Sequence, residues 1–205
     1  AGGNGCVLHY VANTGKARDG DLVLIDAGAE YRNYAADITR TFPVNGRYTR
    51  EQRALHDLVG AAQAAALACA RPGVAFAALH ETVVEVLGEG LLRLGLLKGS
   101  LEKCIAGEHY RQFYRHKSGH WLGLDVHDVG DYRIDGQSRL LEPGMVLTIE
   151  PGLYAGADDT SVAAKWRGIG IRTEDDVLVT ADGHRVLTEG LARSADEIEA
   201  FMAGR

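Results

Sequence analysis

The chain has 205 residues, 46% of them hydrophobic and 24% charged, with a formal net charge of −6. That length suits one domain, or at most two small ones, and the apolar fraction is enough to offset chain entropy, which excludes a disordered chain. The acidic balance contains no basic stripe and the chain no apolar run of about 18 residues, so neither nucleic acid nor a membrane is expected as a partner.

The predicted elements follow in chain order. Cys6, Cys69 and Cys104 are odd in number and widely spaced. They form no disulfide framework and no Cys-x-x-Cys zinc site, and three reduced thiols without a visible signal peptide suit a cytoplasmic protein. Leu22 to Gly28, opened by Asp19-Gly20-Asp21, reads as a buried strand. Tyr31 to Phe42 reads as a second strand ended by Pro43, with Glu30 to Asn33 forming a hairpin turn between the two. A long helix runs from Thr49 to about Cys69. It is opened by the capping box Thr49-Arg50-Glu51-Gln52 and stopped by Arg71-Pro72-Gly73. Phe76 to Leu94 carries apolar residues at 76, 79, 83, 86, 87, 91 and 94, which is helical spacing, although Gly88 and Gly90 weaken it. Leu101 to Ile105 reads as one turn of helix.

Beyond residue 115 His, Gly and Asp become dense and short strands dominate, at Val146 to Glu150, Ile169 to Arg172 and Asp176 to Thr180. A second capping box, Ser194-Ala195-Asp196-Glu197, opens a last short helix. Strands, helices and strands again predict an α+β domain, with helices covering one face of a curved antiparallel sheet.

The acidic residues are placed oddly for solvated groups. Asp26 is embedded in an apolar strand, and so is Asp37. A turn centred on Tyr31 and Arg32 puts the two directly opposite one another, where like charges repel unless a cation neutralises them. Glu150 ends another apolar strand, and Arg172 and Glu174 share one face of a third. His116, His120 and His127 fall within 12 residues, out of eight histidines in the chain. Four carboxylates and one imidazole on adjacent strands can hold two divalent ions, and a mostly oxygen donor set suits Mn²⁺. Two such ions about 3.5–4 Å apart perform hydrolysis.

Five segments carry a resemblance: Leu24-Ile-Asp26-Ala-Gly28, Ala36-Asp37-Ile-Thr-Arg-Thr41, Ser118-Gly-His120-Trp-Leu-Gly-Leu-Asp-Val-His127-Asp128, Glu142-Pro-Gly-Met-Val-Leu-Thr-Ile-Glu150-Pro-Gly-Leu-Tyr154 and Gly168-Ile-Gly-Ile-Arg172-Thr-Glu174-Asp175. Together they resemble the pita-bread metallopeptidases, and among them the bacterial aminopeptidase P group. The resemblance implies a catalytic domain over residues 1–205 with a pita-bread fold, N-terminally incomplete and without the family's N-terminal domain. It implies that Asp26 binds one metal through both oxygens, that Asp37 and Glu174 bridge the two metals, and that His120 and Glu150 complete the other. His9, His116, His127 and Tyr154 would line the substrate site, with His116, His127, Glu150 and Arg172 taking part in the chemistry. The implied cofactors are two divalent ions, Mn²⁺ first and Co²⁺ or Zn²⁺ after it. The implied substrates are peptides with proline second, whose first residue is released when a bridging hydroxide attacks the carbonyl before proline. The full-length parent would be a homo-oligomer.

A prolidase that cleaves Xaa-Pro dipeptides is the nearest rival reading, methionine aminopeptidase a weaker one, and a catalytically silent peptide- or protein-binding pita-bread domain a third. His56, His80, His109 and His184 read as solvated or helix-face positions, and the doublet Asp175-Asp176 as solvated.

Overall fold

The structure is a computed structural model and describes residues 1–204. Its frame begins with a long irregular hairpin made of β1 (Leu22–Ala27), β2 (Glu30–Tyr31), β3 (Tyr34–Ala35) and β4 (Ile38–Pro43). Arg32 and Asn33 form the turn, both at positive φ, 53° and 69°. That is the backbone a two-residue hairpin turn requires. The turn is therefore one residue later than a centre on Tyr31 and Arg32, and the pairing moves by two: Asp26 lies opposite Thr39, not Asp37. Two is the side-chain period of a strand, so Asp26 and Asp37 keep to one face as diagonal neighbours. The strand expected over Tyr31 to Phe42 is broken at Ala36-Asp37. At Gly28 the Ala36 carbonyl oxygen fills the space of a Cβ, which only glycine permits.

α1 (Arg50–Cys69) starts as expected. The Gln52 amide donates to Thr49 Oγ1 at 3.2 Å, and Gln52 Oε1 accepts from the Thr49 amide at 2.9 Å. α2 (Phe76–Arg93) packs along it, and Gly90 leaves room for the Leu58 side chain that a Cβ would strike. α3 (Leu101–Ala106) follows. Val59, Ala62 and Ala66 of α1 and Val83, Leu87 and Leu91 of α2 are fully buried in one core with Leu147, Ile149, Ile171 and Val177 of the strands. Each large side chain so buried contributes roughly 2 kcal/mol.

The second half is built from the hairpin β5 (Arg133–Ile134) and β6 (Gln137–Ser138), then β7 (Val146–Ile149), β8 (Gly152–Ala155), β9 (Ile169–Arg172), β10 (Asp175–Val179) and β11 (His184–Val186), and ends in α4 (Ala195–Met202). β7 pairs with β10 and β10 with β11, and β8 pairs with β9. Along its other edge β7 is bonded to the extended stretch 118–122, by Leu122 N to Val146 O, Thr148 N to His120 O and Glu150 N to Ser118 O. The expected antiparallel sheet is made of short ladders linked by further hydrogen bonds, such as Glu174 N to Thr39 O and Arg172 N to Thr41 Oγ1, and α+β is the class. β8 was not readable in the sequence, because Pro151 and Gly152 at its start disguise it.

Two histidines depart from the solvated reading. His56 is 2% exposed and packs against the Tyr48 ring at 4.9 Å, with Nε2 unbonded. Burial lowers its pKa to about 4. His80 faces inward from α2, its Nδ1 2.8 Å from Ser118 Oγ, and burial lowers it to about 4 as well. His109 is exposed, and His184 donates from Nδ1 to the Ala70 carbonyl at 3.0 Å.

His56 sets a pH test. The unfolded imidazole takes up its proton near pH 6.5 and the folded one only near 4, so stability is lost as pH falls through that window. His56→Leu should remove roughly 2–3 kcal/mol of the stability difference between pH 7.5 and 4.5. Urea melts of both proteins at the two pH values check this; equal pH dependence would refute it.

Candidate metal centre

The strand ends converge on one cavity of about 620 Å³. Asp26 lies one residue from the end of β1, Asp37 just before β4, Glu150 directly after β7, and Glu174 between β9 and β10, while His120 sits in the stretch bonded to β7. Nine of the ten residues singled out from the sequence line this cavity: Asp26, Asp37, His120, Glu150, Glu174, His9, His116, His127 and Arg172. Tyr154, on β8, sits behind it.

Asp37, His120 and Glu174 each offer one ligand atom, and these three atoms lie within 4.8 Å of one another. His120 Nε2 is 3.4 Å from Asp37 Oδ2 and 3.7 Å from Glu150 Oε1. Its Nδ1 is 2.9 Å from the Trp121 carbonyl, which can only accept, so Nδ1 keeps a proton and Nε2 is the nitrogen that faces the cavity; burial works against the charged ring, but hydrogen bonding to Asp37 overcomes it and raises the pKa. Glu174 Oε2 accepts from Thr39 Oγ1 at 2.6 Å, and its amide donates to the Thr39 carbonyl at 3.0 Å. β4 thereby fixes Glu174 beside Asp37.

The electrostatics of this crowd are those of anions short of a cation. Burial, and then the charge of Glu174, raise Glu150 to about 8; burial, and then Asp37, raise Glu174 to about 8. Burial also pushes Asp26 up, against the pull of Arg172. Burial acts upward on Asp37 too, but hydrogen bonds with His120 and Asp26 overcome it and hold its carboxyl low. Four carboxylates and an imidazole nitrogen in one cavity are hard, mostly oxygen donors, and they fit divalent ions.

Around this cluster runs a chain of hydrogen bonds. Arg172 Nη2 pairs with Asp26 Oδ2 at 2.6 Å, and Nη1 donates to Tyr154 OH at 2.9 Å. Tyr154 OH lies 2.8 Å from His116 Nε2, and His116 Nδ1 lies 2.7 Å from the Lys117 carbonyl. Burial lowers His116 to about 4, so the ring is neutral, donating from Nδ1 and accepting at Nε2. Both nitrogens of His116 are therefore engaged within the protein. His127 stands edge-on to His120, with ring centroids 4.5 Å apart, and makes no hydrogen bond among the described residues.

Some residues around the site were not found from the sequence. Asp175 and Asp176 are 0% and 3% exposed, not solvated as expected. Asp176 Oδ2 accepts the Asp37 amide at 3.2 Å. The doublet looked like surface because two adjacent acids normally are; it is buried because β10 is the middle strand of its sheet. Phe76, Tyr132 and Trp121 form an aromatic wall, with Trp121 and Tyr132 stacked at 5.4 Å and 12°.

The profile of metallopeptidase family M24 matches residues 1–181. The chain belongs to metallopeptidase family M24. It is 52% identical over 202 residues to Xaa-Pro aminopeptidase of Escherichia coli K12, a match that covers 98% of this chain and 45% of that protein. The solved structure of Pseudomonas aeruginosa aminopeptidase PepP is 55% identical and superposes with a TM-score of 0.98 over 99% of this chain and 46% of that one. Proline aminopeptidase P II of Yersinia pestis is 54% identical with a TM-score of 0.96, over 100% of this chain and 47% of that one. The fold is thus the pita-bread fold, and the M24 chain spans about half the length of the relatives it matches. Among the described residues no helix is long and apolar enough to cross a membrane.

Proposed function

We propose that this M24 chain is the catalytic part of an Xaa-Pro aminopeptidase, which releases the first residue of peptides with proline in second position. The observation that carries the reading is the meeting of Asp37, His120 and Glu174 in one cavity that Asp26 and Glu150 also line. In this reading Asp26, Asp37, His120, Glu150 and Glu174 hold two divalent ions, Mn²⁺ first. When bound, such ions polarise the scissile carbonyl and supply hydroxide near neutral pH.

The protein's own groups do the rest. Glu150 takes the proton of the attacking water and passes it to the leaving proline nitrogen; its Oε2 faces His116 Nδ1 at 3.6 Å. His127 donates to the carbonyl oxygen as negative charge develops there. His9, at the cavity mouth, packs on the proline side. His116 and Tyr154, joined to Arg172, keep Asp26 oriented and shape the wall that the substrate meets. The free thiols of Cys6, Cys69 and Cys104 support a cytoplasmic setting, and a homo-oligomeric parent belongs to the same reading.

The test is hydrolysis of Xaa-Pro-Xaa and Xaa-Pro peptides with added Mn²⁺ and with chelator. Mn²⁺-dependent release of the first residue from the tripeptide is expected. Cleavage of the dipeptide alone would move the assignment to prolidase. Failure to bind Mn²⁺, with silence on both peptides, would move it to a binding domain.

A further inference from the structure

Behind the cavity lies a carboxylate that the proposed chemistry does not use. The Asp175 side chain has no exposed surface, and both of its oxygens are saturated. Oδ1 accepts from Arg40 Nη2 at 2.7 Å and from Thr188 Oγ1 at 2.5 Å, while Oδ2 accepts from Gln63 Nε2 at 2.9 Å and from Arg193 Nη1 at 3.3 Å. The donors come from four parts of the chain: β4, the stretch after β11, α1, and the approach to α4.

Two of these donors also grip the strands that deliver the cavity's glutamates. Gln63 Nε2 reaches the carbonyl of Ile149, the residue before Glu150, at 3.2 Å. Arg40 Nη1 donates to the Glu174 carbonyl at 2.6 Å and to the Thr39 carbonyl at 3.0 Å. One buried anion therefore ties β4, β7 and β10 together at the level where Asp37, Glu150 and Glu174 leave them. Carboxylates brought this close repel, and only a rigid backbone keeps them at ligand spacing before a cation arrives. For stability alone, apolar side chains would serve as well as a buried ion pair. Four converging donors on a buried anion fix geometry, because any displacement leaves a charge unpaired.

We infer that Asp175, with Gln63 and Arg40, is a positioning site for the metal centre, setting the spacing of Glu150 and Glu174, and that the stretch 188–193 is part of that support. The inference rests on the metal reading above. Its test is calorimetric titration of the metal-free full chain with Mn²⁺, beside urea melts of the same proteins. Gln63→Met fills the same volume but removes both donated bonds, and should lower Mn²⁺ affinity about 10–100-fold. Thr188→Val removes one donor at the edge of the cluster and should lower it several-fold. Leu87→Ala, a core change in α2 away from the cavity, should be destabilised yet keep wild-type affinity. Wild-type affinity in both Gln63→Met and Thr188→Val would overturn the inference alone. A wild-type chain that takes up no Mn²⁺ would overturn the metal reading and this inference with it.

Discussion

Asp37→Ala is expected to lower kcat/KM on an Xaa-Pro-Xaa tripeptide by about 10³-fold or more, about 4 kcal/mol of transition-state stabilisation. The size follows from what this carboxylate touches. It is one of the three groups whose ligand atoms lie within 4.8 Å, and it faces His120 Nε2 at 3.4 Å. Glu174 stands beside it, so removing Asp37 takes a ligand from both proposed ions at once. The remaining carboxylates cannot replace it, because each is tied by its backbone to a separate strand end. Metal analysis of the same variant should give one Mn²⁺ per chain or fewer, against two for the wild type. His56→Leu, buried in the core away from the cavity, should leave kcat/KM unchanged. Wild-type turnover by Asp37→Ala would sink the dinuclear assignment.

The second large effect is expected at a residue with no side chain. At Gly119 a Cβ would overlap the Thr148 carbonyl oxygen, a backbone atom that cannot turn aside. Gly119→Ala must therefore push the stretch 118–122 away from β7. Beside Leu122 N to Val146 O, three bonds flank Gly119: Thr148 N to His120 O at 2.9 Å, Glu150 N to Ser118 O at 2.9 Å and His120 N to Thr148 Oγ1 at 3.1 Å. Their loss displaces His120 and Glu150 together, two of the five proposed ligands. Stability should fall by about 3 kcal/mol, at the upper end for forced overpacking, and Mn²⁺ affinity with it. Urea melts and Mn²⁺ titration would show both losses; wild-type Mn²⁺ affinity in the Gly119→Ala variant would show that the close approach does not position His120.

How much of this could be read before the structure differs from residue to residue. The helices over Arg50–Cys69 and Phe76–Arg93 were legible because their signals are local: a capping box at Thr49, a stop at Pro72 and an apolar stripe at helical spacing. The candidate ligands were legible too. A carboxylate inside an apolar strand is costly enough to stand out in one dimension, and Asp26, Asp37, Glu150 and Glu174 all do. The register of the hairpin was not legible to better than two residues. Which pair of residues takes positive φ in a turn without a Gly is decided by the strands it must join, and here that is Arg32-Asn33.

The amino-acid sequence by itself determined the helices and several of the strands, the acidic character of the site, an order of motifs that resembles one metallopeptidase family, and five ligand candidates along the chain. Only the tertiary structure decided that Asp26 lies opposite Thr39, that His116 spends both ring nitrogens within the protein, and that Asp175 and Asp176 are interior groups. The reason is common to all three. Local signals report the free energy of a residue against its chain neighbours, whereas pairing register, hydrogen-bond saturation and the burial of a charge depend on partners brought in from elsewhere in the fold. Asp175 reads as surface in its own segment and becomes an interior anchor only when Arg40, Gln63, Thr188 and Arg193 fold around it.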